Sequence, residues 1–236
     1  MANDYWQKRY ERILDEAFQK ATLTDEEIKK QYTRALRRIE KAINDWYRRF
    51  ANENGITLQE ARKLLDKYEM KAFKMDLKEF EHEAKQLGMS KEHQQMLSNA
   101  SIRERLSREQ MLYINMVHEI EVMAHSQNVS VKNMLDDVYR SSVYKSAYTA
   151  QTQRGSYSMI NSIDGKRVDS VINSQWANDG QDFSSRIWND KVKLVANLQN
   201  DFTQALMIGQ GADTMADNLS KRMKTSYSNA KRLVET

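Results

Sequence analysis

The chain has 236 residues, with 37 Lys and Arg against 33 Asp and Glu, 7 Gly, no Pro and no Cys. Average usage would place roughly a dozen Pro and roughly sixteen Gly in such a length, so a sequence that avoids helix breakers throughout is expected to be all-α. Lack of Cys excludes a disulfide frame, a thiolate nucleophile and a Cys-ligated zinc or iron–sulfur site, and a net charge of +4 does not by itself point to nucleic acid.

No apolar run approaches the roughly 18 residues of a membrane span, and the opening Met1-Ala2-Asn3-Asp4-Tyr5-Trp6 does not read as a secretory signal. A first helix is expected over residues 4 to 20, with Trp6, Tyr10, Ile13, Leu14, Ala17 and Phe18 on its apolar side. Thr24 and Glu27 have the spacing of a capping box and predict a second helix over 24 to 53. Its apolar positions Tyr32, Leu36, Ile39, Ile43, Trp46 and Phe50 alternate four and three apart, a heptad-like seam. The short Ala21-Thr22-Leu23 link predicts an antiparallel pair whose two stripes face each other or a partner chain. Asn54-Gly55 supplies a left-handed stop.

Thr57 and Glu60 predict another helix start, running through Ala61, Leu64, Leu65 and Tyr68, and Asp76 with Glu79 predicts the next, stopped at Leu87-Gly88. A short helix follows Ser90. Ser107 and Gln110 open a longer one ending near Gln127-Asn128, and a further helix is expected from about 130 to 157. Between 155 and 185 the glycines Gly155, Gly165 and Gly180 cluster with Ser and Asn, predicting one or two short helices and a loop at 177 to 185. A long helix over about 186 to 208 stops at Gly209. Asp213 then caps a short helix, and Thr225 or Ser226 opens a last one. The architecture expected is an elongated, all-α, multi-helix assembly with no significant sheet. Three regions are expected: 1–127 helical, 128–181 a central long helix and loop, and 182–236 the start of a C-terminal helical domain.

Candidate chemistry is sparse. Glu79 and His82 match half of a di-iron carboxylate signature, which needs a second such pair that the sequence lacks. His118-Glu119 begins like a zincin, but Val122 stands where the second His belongs. His118, Glu121 and His125 share one helix face without a defined open coordination position. Gly209-Gln210-Gly211 follows a helix, whereas a phosphate-cradling loop follows a strand. The Ser142/Lys145 and Ser228/Lys231 spacings lack their companion motifs. No catalytic, cofactor or metal residues are assigned. Two basic regions remain, 28–50 and 219–236. In the first, Lys29, Lys30, Arg34, Arg37, Arg38 and Lys41 are candidate phosphate contacts, weighed against the solvated face of an amphipathic helix. Residues 213 to 236 also admit a helix-turn-helix reading.

An ordered series runs from Asp182-Phe183-Ser184-Ser185-Arg186-Ile187-Trp188 through Ile208-Gly209-Gln210-Gly211 and Met215-Ala216-Asp217-Asn218-Leu219 to Ala230 through Thr236. Together with Tyr5-Trp6-Gln7-Lys8-Arg9, it resembles phage minor head (head-morphogenesis) proteins with a Mu F-like C-terminal domain. That resemblance implies a non-enzymatic minor capsid protein without cofactors. It would join the procapsid at the portal vertex and act in head assembly, and some members of the family bind DNA and leave the capsid with the genome. The implied partners are the portal protein, then scaffold protein, genomic DNA and further copies of the chain. The implied location is the virion interior near the portal, and the host cytoplasm during assembly. The family's Cys-containing motif lies beyond Arg232-Leu233-Val234-Glu235-Thr236, so the chain is expected to be cut short. A non-specific DNA-binding helical protein is the alternative.

Overall fold

The computed structural model describes residues 2–51, 56–175 and 180–235. Among them are eight helices: α1 Ala2–Phe50, α2 Leu58–Ala61, α3 Lys67–Gln86, α4 Lys91–Ile102, α5 Arg108–Arg154, α6 Gly165–Ile172, α7 Phe183–Met207 and α8 Ala212–Glu235. The all-α class expected from the missing Pro is what the chain adopts. The extended pairing described is one isolated antiparallel bridge between Leu64 and Ser107.

Three expected helix breaks do not occur. The helices expected over 4–20 and 24–53 are not an antiparallel pair, because Ala2–Phe50 is one helix, α1. Ala21, Thr22 and Leu23 make no left-handed demand on the backbone, and the Thr22 hydroxyl satisfies itself on the Phe18 carbonyl at 3.0 Å. Gln127-Asn128 likewise fails to end a helix, and α5 continues to Arg154, where Gly155 takes φ +66°. The two short helices expected after Asp213 are the single helix α8, so the helix-turn-helix reading is withdrawn. Cap motifs mark a start only where backbone donors are free. Inside a continuous helix the same residues are merely tolerated.

Two further starts move. The helix opened by Thr57 stops at Ala61, and α3 begins at Lys67 rather than near Asp76. Asp66 is the true cap, accepting the amide protons of Tyr68 at 2.7 Å and Glu69 at 2.9 Å, while the Glu69 carboxylate accepts from the Asp66 amide. Helix α7 starts at Phe183, three residues before the expected point. The Leu87-Gly88 stop, the helix after Ser90 and the Ser107/Gln110 start form as expected, the last with reciprocal side-chain to backbone bonds of 2.9 and 3.1 Å. Asn54-Gly55 and residues 177–179 of the expected loop lie outside the described residues.

The chain divides into two compact units. One comprises residues 1–29, 127–187 and 229–236. Here α1 and α5 run antiparallel, with Lys20 bonded to Asp137 at 2.7 Å and to Ser141 at 3.0 Å, Glu16 paired with Lys145, and Arg9 over the Tyr148 ring. Helix α6 is capped by Asp164 and buries Val168 and Ile172. The expected facing of the Tyr10, Leu14 and Phe18 stripe onto the 39–50 stripe is impossible within one helix. Leu14 and Phe18 are 60% and 65% exposed.

The other unit comprises residues 30–126 and 188–228. The seam Tyr32, Ile39, Ile43, Trp46 and Phe50 is buried there, as its periodicity predicts. Leu36, the sixth member, is only half-buried. Trp46 stacks obliquely on Phe202 of α7 at 5.6 Å, the Tyr47 hydroxyl donates to the Gln210 carbonyl, and the Tyr32 hydroxyl meets Ser226 of α8 at 2.9 Å. Burial alone raises the Tyr47 phenol to about 12. A small cleft of about 20 Å³ is lined by Ile43, Met116, Leu198, Phe202, Met215 and Leu219 together with Asp201 and Asn218.

Candidate functional site

The basic helix is the site singled out by sequence. Residues 30, 34, 37 and 41 follow an i, i+4, i+7, i+11 spacing and therefore form one line along α1. Lys30, Arg34, Arg37 and Lys41 are all exposed, on the side opposite the buried seam, and Arg48 extends the line by two further turns. Among the described residues these five cations have no carboxylate within ion-pair distance. At about 1.5 Å per residue, the line from Lys30 to Arg48 is about 27 Å long.

Two of the six candidates leave this line. Arg38 is turned to the flank, where its guanidinium holds Glu119 at 3.2 Å. Lys29 lies roughly a quarter-turn away from the stripe, toward the other flank. The structure thus gathers Lys30, Arg34, Arg37 and Lys41, and sets Lys29 and Arg38 beside them.

The histidines form a second, buried site that sequence spacing reveals only in part. His118 is fully buried on α5, stacked on Phe80 of α3 at 4.1 Å. Its Nε2 meets Glu83 of α3 at 3.0 Å, and its Nδ1 meets Nε2 of His93, on α4, at 3.1 Å. One turn further along α5, buried Glu121 accepts from Lys191 of α7 at 2.7 Å and from the Ser90 hydroxyl at 3.1 Å. Ser90 is also the cap of α4 and takes the His93 amide proton. Four helices are tied by this cluster. Burial holds both imidazoles below the ordinary histidine range, against the pull of Glu121 on His93 and of Glu83 on His118.

Grouping His118 with Glu121 was correct, but His125 is not part of the cluster. The partners of His118, which are His93 and Glu83, and the partner of Glu121, Lys191, come from other helices. Only the helix start after Ser90 and the shared face of His118 and Glu121 are visible in sequence. Glu79 and His82 are exposed on α3 and separate from it. Among the described residues no three His, Asp or Glu side chains converge as metal ligands, and no helix is long and apolar enough to cross a membrane.

Compared with known proteins, the chain matches no family model, no curated protein and no solved structure. Function must therefore be argued from the residues themselves.

The Asp182–Leu219 part of the ordered series falls on α7, α8 and the turn between them. Asp182 accepts the Ser185 amide proton at 2.7 Å and caps α7, with Phe183 and Ile187 buried behind it. Gly209 takes φ +68° in the turn, and Met215 and Leu219 return to the core on α8. Its final stretch adds buried Ala230 and Val234. Arg222 clamps Asp201 with two bonds of 2.8 and 3.0 Å, fixing the register of α7 against α8. The residues that carry the resemblance are thus caps, turns and core positions.

Proposed function

We propose that the chain is a structural, non-enzymatic minor head component of a tailed phage that docks at the portal vertex during head assembly. The observation that carries this reading is the ordered series from Asp182 to Thr236, whose spacing is similar to that of Mu F-like head-morphogenesis proteins. Supporting it, the resembling residues occupy architectural positions, as expected of an assembly protein. The histidine cluster holds rings at most 4% exposed, which closes it to a substrate. Co-purification with a tailed-phage portal protein, followed by assay of purified heads, tests the reading. A protein present in the lysate but absent from heads would overturn it.

A second reading is favoured by the unpaired cation line on α1. Lys30, Arg34, Arg37, Lys41 and Arg48 would neutralise phosphates along double-stranded DNA without reading bases, since a single exposed stripe offers charge but no shaped contact to a groove. Binding through four or five phosphates would lower log affinity against log salt with a slope of about −4. The two readings are compatible, because a portal-associated protein meets the packaged genome.

A further inference from the structure

The buried histidine line has a proton count built into its geometry. An ionised Glu83 can only accept, so Nε2 of His118 carries the hydrogen that joins them. The Nδ1 of neutral His118 is then a bare lone pair, and His93 must present its own Nε2–H across the 3.1 Å gap. Both rings are thereby fixed as the same tautomer. One added proton fits this arrangement. Placed on the far nitrogen of His93, it leaves every bond of the line intact. A second proton does not fit, because it sets an N–H of His118 against the N–H of His93 and stacks two cations with ring planes 18° apart.

The surrounding charges give the same count. Glu121 of α5 is neutralised by Lys191 of α7, and Glu119 of α5 by Arg38 of α1. Phe80, the other α3 residue against the pair, carries no charge. Among the described residues the one facing anion with no cation of its own is Glu83 of α3, which balances a single imidazolium. Helix α4 has the least to hold it otherwise. It buries three residues, His93, Leu97 and Ala100, so its seat depends on the histidine contact far more than the longer α3 and α5 do.

We propose that Glu83, His118 and His93 form a two-proton latch for α4, which keeps the helix seated with zero or one bound proton and releases it when the second arrives. Release takes away one wall of the open groove of about 580 Å³ lined by Met96 and Asn99 of α4, by Arg103 just after it, and by Gln110, Tyr113 and Ile114 of α5. The latch does not depend on the proposed role in a phage head.

Amide hydrogen exchange of the full chain between pH 7.5 and 4, corrected for intrinsic rates, tests it. Peptides from 91–102 are expected to lose protection, with a steepness tending to about tenfold per pH unit once the seated pair holds its first proton, because release then takes up one more. Peptides from 110–125 should stay protected over the same range. In the double variant His93→Gln, His118→Gln, whose amides can make the same two bonds without titrating, the α4 loss should disappear. Two results overturn the proposal: simultaneous loss in α3, α4 and α5, or an unchanged loss in the double variant. Should that variant not fold, histidine nitrogen NMR of the natural chain decides. Two Nε2–H tautomers with well-separated titrations are expected, and a single unsplit titration near the ordinary histidine value refutes the latch.

Discussion

Replacing Trp46 by Ala probes the core where sequence and structure agree most closely. The indole is 2% exposed, lies 5.4 to 5.8 Å from the rings of Tyr47, Phe50 and Phe202, and donates its N–H to the Arg108 carbonyl at 2.9 Å. A buried Trp removes about 150–250 Å² from water. At about 25 cal/mol per Å², that is roughly 4–6 kcal/mol of transfer free energy before the retained Cβ is discounted. The lost hydrogen bond contributes about 1 kcal/mol more. Partial collapse of neighbours into the space brings the expected cost to about 4 kcal/mol, within the usual range for such truncations. With a urea m-value of about 2 kcal/mol per M, the midpoint should fall by about 2 M at constant slope. Trp46→Phe keeps most of the burial and loses the bond, so about 1–2 kcal/mol is expected. A loss below about 1.5 kcal/mol for Trp46→Ala, with m unchanged, would refute the assignment of this residue to the centre of the core.

Gly209→Ala places a side chain at φ +68° with nothing within 4 Å of the new Cβ. It should cost about 1–2 kcal/mol in denaturant unfolding from backbone strain alone, whereas Gly211→Ala, whose φ is ordinary, should be near neutral. Charge reversal of Arg34, Arg37 and Lys41 to Glu should abolish salt-sensitive DNA binding in a filter or anisotropy titration and leave thermal unfolding within a few degrees, since all three are exposed and unpaired. Stability against pH has a defined sign. Both imidazoles are depressed by burial, so their contribution is complete above the unfolded value near 6.5 and declines as pH falls below it, by up to about 1.4 kcal/mol per pH unit for each proton. Glu119 is held above the usual carboxylate range by burial and acts in the opposite sense at lower pH. Urea unfolding of the natural chain minus that of the His93→Gln, His118→Gln variant isolates the histidine part, and a flat difference between pH 7 and 5 would contradict the assignment.

Helix class and the buried side of α1 were legible because they rest on composition and on a period that a single helix carries within itself. Trp46 and Phe50 could be placed without knowing what covers them. Helix ends were less legible, since Thr24 and Asp76 have cap-like spacing yet sit inside continuous helices where the backbone is already bonded. Only the neighbouring backbone decides that. Lys30, Arg34, Arg37 and Lys41 could be placed on one exposed line, with Lys29 and Arg38 beside it, because helical spacing sorts residues by face. The histidine cluster was illegible for a different reason. Glu83, His93, His118 and Lys191 belong to four helices, and no local pattern records which helices meet.

The short bridge at Leu64 and Ser107 has a consequence for how the α3–α4 segment behaves. Its two hydrogen bonds, Leu65 N–H to the Leu106 carbonyl at 2.8 Å and Arg108 N–H to the Lys63 carbonyl at 3.0 Å, join the ends of that segment. Arg108 adds contacts to Glu60 and Glu69 at 3.3 Å and lies 4.0 Å from the Phe50 ring. Closing a flexible loop of about 40 residues costs on the order of 3 kcal/mol of chain entropy, while two such bonds return a net of about 2 kcal/mol. The strap is therefore close to balance unless the helices it encloses are packed and the loop is already short of freedom. Once α4 leaves its seat, the strap loses most of its advantage, and it recovers that advantage only when α4 returns. With α3 still packed, the strap at the ends of the segment therefore loosens and re-forms together with α4.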